Sequence, residues 1–291
     1  MYPAPFEYVK ATAWRDAVDL LTEHGDDAKV LAGGQSLVPM MSLRLASPTH
    51  IVDVNDIDDG TIRERNGAVE IPALARHAEL ERSPVLARVC PLIAEAAGLI
   101  GNIRVRHRGT LGGSLAHGDP SAELPCALVA LEGTVRALGP DGERRIPAGS
   151  FFRSYFTTAL TPSEVVVGVE VPAARERTGA AFVEFSNRAG DFATVEVAAI
   201  VHLDDSDGCR DVRVTAGGIS DQPVDLSEPA ASLIGRLPNE ALIADAARAV
   251  SESSDPRGDD RATPGYRRQL VEVLTKRALH RAWRRAVGAE P

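Results

Sequence analysis

Two glycine-containing segments are the parts of this 291-residue chain best suited to bind a ligand. The first is residues 32–37 (AGGQSL), and the second is residues 109–114 (GTLGGS). Glycines let successive backbone N–H groups turn into one concavity, and a helix start adds partial positive charge, so such a bend can bind a diphosphate without a lysine. Either segment alone could equally be an ordinary tight turn. Both together favour a ligand with two phosphates and a long body.

Other motif-based chemistries each lack a required residue. Neither segment contains the Gly-x-Gly-x-x-Gly fingerprint of a dinucleotide-binding Rossmann fold, and none of the three lysines follows a P-loop glycine. Ser36 and Ser114 lack the second glycine of the Gly-x-Ser-x-Gly nucleophile elbow. Val129 stands where a zinc deaminase needs its second cysteine. We therefore predict no catalytic side chain and no metal site in this chain.

Each of the polar and aromatic residues that follow the second segment could have one of two roles. His117 could lend charge to a phosphate or to a reduced cofactor, or it could belong to a solvated loop. Glu123 could accept hydrogen bonds from ribose or ribityl hydroxyls, or it could be the acidic first turn of a helix. The aromatic residues in 151–156 (FFRSYF) favour a core role over a cofactor platform.

Composition excludes several classes of partner. The formal net charge is −9 and the pI is about 5.3, so a broad basic surface for nucleic acid is not expected. No stretch approaches the roughly 18 apolar residues of a membrane span, and the start of the chain does not resemble a signal peptide. Cys90, Cys126 and Cys209 are too scattered for a disulfide framework or an iron–sulfur cluster. We expect a cytoplasmic protein whose redox metals, if any, lie on other chains.

The pattern of elements places both glycine segments beside helices. The first follows a predicted strand at 29–32 and opens a helix at 37–45, while the second precedes a helix predicted at about 121–131. Asn-Gly at 66–67 and Gly-Pro-Asp-Gly at 139–142 predict hairpins. A Val-rich strand ends at Pro172, where we place a domain boundary. Three further strands and then three helices are predicted at 181–186, 196–203, 212–216, 228–234, 239–250 and 264–287.

These two segments also carry a family resemblance. Residues 32–36 (AGGQS) and 108–120 (RGTLGGSLAHGDP) closely resemble the two FAD-binding signatures of the medium, flavoprotein subunit of carbon monoxide dehydrogenase and its relatives in the xanthine dehydrogenase family of molybdenum hydroxylases. The similarity extends from residues 5–8 through 190–193 (GDFA) to 274–278. Two long motifs in the family's order and spacing make the match specific.

The resemblance implies an α+β fold. Residues 1–172 would form a PCMH-type FAD-binding domain, with two α/β subdomains at about 1–55 and 56–172 that hold FAD between them. Residues 173–291 would form a C-terminal flavoprotein domain with a three-stranded antiparallel sheet and helices. This division agrees with the boundary placed at Pro172.

The resemblance also implies which residues contact the cofactor. Both glycine segments would hold the diphosphate, Glu123 would lie near ribityl or ribose hydroxyls, and Leu160 would contact the flavin ring through its backbone. Ile100 and Phe192 occupy positions that can cover the isoalloxazine. The complete predicted cofactor-binding set is Ala32, Gly33, Gly34, Gln35, Ser36, Leu37, Ile100, Thr110, Leu111, Gly112, Gly113, Ser114, His117, Glu123, Leu160 and Phe192.

Two departures from the family pattern accompany these assignments. Ser114 stands where many relatives have asparagine. Some relatives place a lysine near the flavin where this chain has Val183 and Glu184, so lysine stabilisation of a reduced flavin anion is not expected here.

The resemblance implies an FAD-binding electron-transfer subunit of a molybdenum hydroxylase. A small 2Fe-2S subunit and a large molybdopterin-binding subunit would be its partners, and NAD, a quinone or oxygen would take the electrons. Two alternatives are a stand-alone FAD-dependent oxidoreductase acting on a small molecule, and a docking subunit that holds no cofactor.

Overall fold

The first part of the chain is a small α/β unit. The computed structural model describes residues 2–289. The first elements are β1 (Glu7–Lys10), α1 (Trp14–His24), β2 (Ala28–Leu31), α2 (Leu37–Ser42) and β3 (His50–Asp53), with a 3-10 turn at Gly25–Asp27. The strands form a parallel sheet in the order β1-β3-β2. Helix α1 buries an apolar face made of Ala17, Val18 and Leu21 against this sheet.

The second part is built on an antiparallel sheet covered by short helices. Its sheet has the order β4-β5-β10-β6-β7. Both predicted hairpins are present, and Asn66 and Gly67 have φ values of 53° and 74°, as a tight two-residue hairpin turn requires. The elements are β4 (Arg63–Arg65), β5 (Ala68–Pro72), α3 (His77–Arg82), α4 (Pro84–Val89), α5 (Pro91–Leu99), α6 (Ile103–Arg106), α7 (Leu111–His117), α8 (Glu123–Ala130), β6 (Thr134–Gly139), β7 (Gly142–Pro147), α9 (Ala148–Phe151), β8 (Phe152–Ser154), β9 (Thr157–Thr158) and β10 (Val165–Pro172).

The last part is an antiparallel sheet followed by helices, as expected. The long strands are β11 (Thr178–Phe185), β12 (Val195–Leu203) and β13 (Cys209–Gly217). The sequence did not predict the two-residue strand β14 (Val224–Asp225), which pairs with the edge of β13. The helices are α10 (Ser227–Ala230), α11 (Glu240–Ser253) and α12 (Pro264–Ala286), with a 3-10 turn at Ala231–Leu233.

The C-terminal sheet has two different buried faces. Alternate residues of β12, such as Val197 and Ala199, pack with α11 and α12 in one core. Residues of the opposite face, including Phe182 and Ala198, pack with α5 and α8 in the core of the preceding part. The sheet therefore joins the two halves of the protein through continuous apolar packing.

Within residues 2–289, no helix is both long enough and apolar enough to cross a bilayer.

Candidate functional site

A cleft of ≈ 590 Å³ brings the two glycine segments together. Residues from the parallel sheet, the helical layer and the C-terminal part all contribute to its walls. Its volume is within the range typical of ligand and cofactor sites. The predicted residues that line it are Ala32, Gly33, Gly34, Gln35, Ser36, Leu37, Ile100, Thr110, Gly112, Gly113, Ser114, His117, Glu123, Leu160 and Phe192.

The first segment is a bend with unused backbone donors. It connects the end of β2 to α2, and Gly34 has φ +70°, a left-handed conformation that glycine adopts without strain. Within the described chain, the N–H groups of residues 33–36 donate to no protein acceptor. Ser36 occupies the N-cap position of α2, but its side chain accepts no hydrogen bond from the helix. These donors are therefore available to anionic oxygens, as diphosphate binding requires.

The second segment uses its amides internally. It was expected to precede a helix, but it forms the first turn of α7, with Thr110 as the N-cap. The Gly113 N–H donates to Thr110 Oγ1 at 3.1 Å, the Leu111 N–H to the Ala75 carbonyl at 3.0 Å and the Gly112 N–H to the Ala73 carbonyl at 2.8 Å. The expectation of a second set of free amides is therefore wrong. This segment instead contributes two glycines, Gly112 and Gly113, and the half-buried Ser114 to the wall of the cleft.

Leu111 is the one predicted cofactor residue that does not line the cleft. Its side chain is fully buried and belongs to the central core with Leu115. The two residues are four positions apart on α7, so they share the face of the helix that packs inward. Leu111 therefore supports the segment from behind.

The two segments are in direct contact. A Cβ atom added to Gly33 would lie 2.3 Å from the Arg108 carbonyl oxygen and 2.7 Å from Gly109 Cα. Gly109 is similarly confined, because a Cβ there would lie 2.8 Å from His77 Cε1. His77 in turn lies within hydrogen-bond distance of the Thr110 carbonyl, at 3.0 Å from Nε2. Glycine is thus required at the junction because the two backbones approach too closely for a side chain.

Buried carboxyl groups lie beside the cleft. Burial, reinforced by Glu184 and Asp119, raises the pKa of Glu123 to about 8. Glu184 and Glu196 face each other across β11 and β12, and burial raises the pKa of Glu184 to about 7. Glu196 is fully buried, and burial raises its pKa well above the usual range, with Glu123 and Glu184 adding to the effect. At neutral pH Glu123 is therefore predominantly protonated, so it can donate a hydrogen bond as well as accept one.

His117 does not supply charge at neutral pH. Burial lowers the pKa of its imidazole, which lies 5.0 Å from the Phe156 ring between centroids. Phe156 is 58% exposed and lines the cleft, whereas Phe151 and Phe152 are buried. The prediction of a core role for the aromatic cluster is therefore right for Phe151 and Phe152 but wrong for Phe156 and for Tyr155, which is 47% exposed.

The predicted flavin-side residues come from three separate segments. Ile100 follows α5, Leu160 follows β9, and Phe192 lies in the loop between β11 and β12. Gly190 of that loop rests on Gly101, because a Cβ at Gly190 would lie 3.0 Å from the Gly101 carbonyl carbon. The loop therefore brings Phe192, which is 53% exposed, to the same cleft as Ile100.

Sequence reasoning missed several residues of the cleft. Lys29 lines it from β2 and forms no ion pair with any residue that the structure describes. Trp14 and His77 also line it. Lys29 belongs to the strand that enters the first bend. Its position just ahead of the bend was the signal that could have identified it.

Comparison with known families covers nearly the whole chain. Residues 4–174 match the model described as "FAD binding domain in molybdopterin dehydrogenase". Residues 180–282 match the model described as "CO dehydrogenase flavoprotein C-terminal domain".

Individual relatives are similar along their full length. The "6-hydroxypseudooxynicotine dehydrogenase complex subunit alpha" of Paenarthrobacter nicotinovorans is 39% identical, covering 98% of this chain and 97% of that protein. The "Carbon monoxide dehydrogenase medium chain" of Hydrogenophaga pseudoflava is 36% identical, covering 98% and 99%. A solved structure of carbon monoxide dehydrogenase from H. pseudoflava superposes with a TM-score of 0.94, with 36% identity over 98% of this chain and 99% of that chain. This protein therefore belongs to the FAD-binding medium-subunit family of the molybdenum hydroxylases.

Proposed function

We propose that this chain relays electrons within a three-part molybdenum hydroxylase. A small 2Fe-2S subunit would deliver the electrons after substrate oxidation on a large molybdopterin-binding subunit, and FAD on this chain would pass them to NAD, a quinone or oxygen. The observation that carries this proposal is the cleft, in which a bend with free amides meets a second glycine segment. Relatives named as a complex subunit and as a medium chain support the assignment of partners.

The residues of the cleft fit FAD. The free N–H groups of residues 33–36 would bind the diphosphate, with Lys29 as a nearby cation. Glu123 would bind ribityl or ribose hydroxyls, and Ile100, Leu160 and Phe192 would surround the isoalloxazine and exclude water. Bound FAD supplies the chemistry of electron transfer, while the protein binds, orients and tunes it. This role requires no catalytic side chain.

We also propose a division into domains at 1–172 and 173–291, with subdomains at about 1–55 and 56–172. The gap between β10 and β11 supports the main boundary, as do family matches that end at residue 174 and begin at residue 180. The change from a parallel to an antiparallel sheet after β3 supports the boundary between subdomains. A cytoplasmic location is part of the proposal, supported by the three cysteines, which are free thiols.

The comparisons favour the relay over a stand-alone flavoenzyme, since the relatives are named as subunits and medium chains. The test is purification of the tagged chain from its native host, with analysis of flavin, iron, molybdenum and accompanying polypeptides. We expect one FAD per chain together with an iron–sulfur subunit and a molybdopterin subunit. A yellow chain that purifies alone and oxidises a small molecule would support the stand-alone alternative. A colourless chain that cannot be loaded with FAD would contradict both.

A further inference from the structure

Two side chains connect the glycine segments from behind the cleft. Asn55 Nδ2 donates to the Ala32 carbonyl at 2.8 Å and to the Leu31 carbonyl at 3.2 Å. Arg76 Nη2 donates to Asn55 Oδ1 at 2.7 Å, and Arg76 Nη1 donates to the Arg108 carbonyl at 2.5 Å. A continuous chain of hydrogen bonds therefore runs from the entrance of the first bend to the start of the second segment.

The carbonyl that Arg76 holds is the one against which the first bend packs. The Arg108 oxygen is the nearest atom to a Cβ built on Gly33. Arg76 thus acts at the point where the two backbones meet. Its own backbone is fixed as well, because its N–H donates to Glu79 Oε2 at 2.7 Å in the first turn of α3.

The contacts of Arg76 indicate a geometric role. Its side chain is half-buried and forms no ion pair with any carboxylate in residues 2–289, and its acceptors are a neutral amide and a carbonyl. Burial and the neighbouring Arg108 lower the pKa of Arg76, which still leaves the guanidinium charged at neutral pH. A planar guanidinium can span two acceptors in fixed directions, whereas an ammonium is a point charge that cannot reproduce this fork.

We propose that Arg76 is a positioning residue which, through Asn55, fixes the first glycine bend against the second segment and so pre-forms the FAD site. Nothing in this role requires Arg76 to touch the cofactor, and Arg76 is not among the residues that line the cleft. The inference rests on the proposed FAD-binding function. A pre-formed site binds more tightly because less ordering has to accompany binding.

The test measures FAD affinity of the full-length chain after removal of bound flavin, using the change in flavin fluorescence on binding. We expect Arg76→Gln and Arg76→Lys each to weaken FAD binding by about tenfold or more, because neither can reproduce both hydrogen bonds. Arg82→Gln is the matched control, since it removes an exposed cation from α3, the helix that follows Arg76, and should leave affinity unchanged. Near-normal affinity in Arg76→Lys would assign the effect to charge and overturn the proposal.

A double-mutant cycle tests the connection through Asn55. Because the two side chains act in series, Asn55→Ala and Arg76→Gln should each weaken binding, and the double variant should lose little more than either one. Losses of affinity that multiply in the double variant would overturn the proposal.

Thermal melting of the flavin-free variants provides the second measurement. Variants that melt at the same temperature as the wild type but bind FAD weakly support a positioning role. If every variant binds FAD like the wild type, the inference fails, whereas a wild-type chain that binds no FAD contradicts the proposed function itself.

Discussion

Single residues at the junction of the two segments are fixed by backbone distance. Gly33 has no space for a side chain because the Arg108 carbonyl and the Gly109 backbone occupy it. This requirement comes from the approach of two chain segments about 75 residues apart, so no local pattern could reveal it. Gly149 provides a contrast, since a Cβ built on it meets no atom within 4 Å.

We therefore expect Gly33→Ala to reduce FAD affinity by at least about tenfold, because the added methyl group must push the two segments apart. Flavin content after purification and fluorescence titration would measure the loss. Gly149→Ala is the matched control and should retain full flavin content. Full flavin content in Gly33→Ala would show that the junction can open without consequence.

The buried carboxyl groups differ from these glycines, because burial, and not close approach of two backbones, determines their properties. Their pKa values are raised because burial disfavours the charged form. The pKa of Glu196 is raised in the folded protein, so the unfolded chain loses its proton first as pH rises. The stabilisation associated with the protonated carboxyl is therefore complete below the unfolded pKa of about 4.5 and declines as pH rises towards the folded pKa. Each such group can contribute a slope of up to about 1.4 kcal/mol per pH unit.

Glu196→Gln should flatten this dependence, because an amide cannot ionise. We expect the free energy of unfolding of the wild type to fall as the pH rises above the unfolded pKa of about 4.5, and to fall less steeply in the variant. Urea unfolding at several pH values would measure both slopes. Glu252→Gln, which alters an exposed glutamate of α11, should leave the slope unchanged, and equal slopes in wild type and Glu196→Gln would contradict the assigned pKa direction.

At the scale of elements, the two glycine segments differ in their relation to the adjoining helix. Helix α2 begins where the first segment ends, and the backbone N–H donors of that segment are free. The second segment, in contrast, is itself the first turn of α7. The sequence could place both segments beside helices from caps and glycines. It could not show that Ala73 and Ala75 take the amides of α7, because that contact depends on a residue separation of nearly forty.

Thr110 caps α7 with its side chain, accepting the Gly113 N–H. Thr110→Ala should lower stability by about 1 kcal/mol, as is typical for loss of a cap, and should also weaken FAD binding because α7 forms one wall of the cleft. Thr263→Ala removes the corresponding cap of α12, where Thr263 accepts the Tyr266 N–H, and should cost similar stability with unchanged FAD affinity. Equal FAD affinity in the two variants would show that the cap of α7 is only structural.

The hairpins, the strand ending at Pro172 and the final helices were readable from the sequence because each depends on local turn chemistry or periodicity. The cofactor set came from the resemblance, since FAD binding depends on residues from distant segments. Local sequence pattern does not predict the orientation of a side chain, as Leu111, Phe156 and Lys29 show. Whether each side chain faces the core or the cleft is decided by packing between elements.

For the whole molecule, Glu95 links the two halves by polar contacts. From α5, its Oε2 atom accepts the Phe182 N–H at 3.0 Å and a guanidinium N–H of Arg285 at 2.9 Å, while Oε1 accepts from Arg281 at 3.2 Å. The donors lie in β11 and α12, so one carboxylate joins the helical layer to both layers of the C-terminal part.

Glu95→Ala should therefore destabilise the protein by about 2–4 kcal/mol, because it removes the acceptor shared by these partly buried donors. Chemical denaturation would measure the loss, and limited proteolysis should cut faster between β10 and β11. Glu143→Ala breaks a more exposed ion pair with Arg136 within one sheet and should cost no more than about 1 kcal/mol. Similar losses in both variants would contradict a special role for Glu95.

The two-sided C-terminal sheet limits how this protein can be recombined with its relatives. Phe182 and Ala198 are covered by α5 and α8, which belong to the other half of the chain. A chimera that exchanges only residues 173–291 would bring together apolar surfaces shaped for different neighbours, and it should misassemble unless the matching positions of both helices are exchanged as well. An exchange of residues 173–291 between homologues therefore has to replace the residues on both sides of this apolar interface together, although the two regions are separate in the sequence.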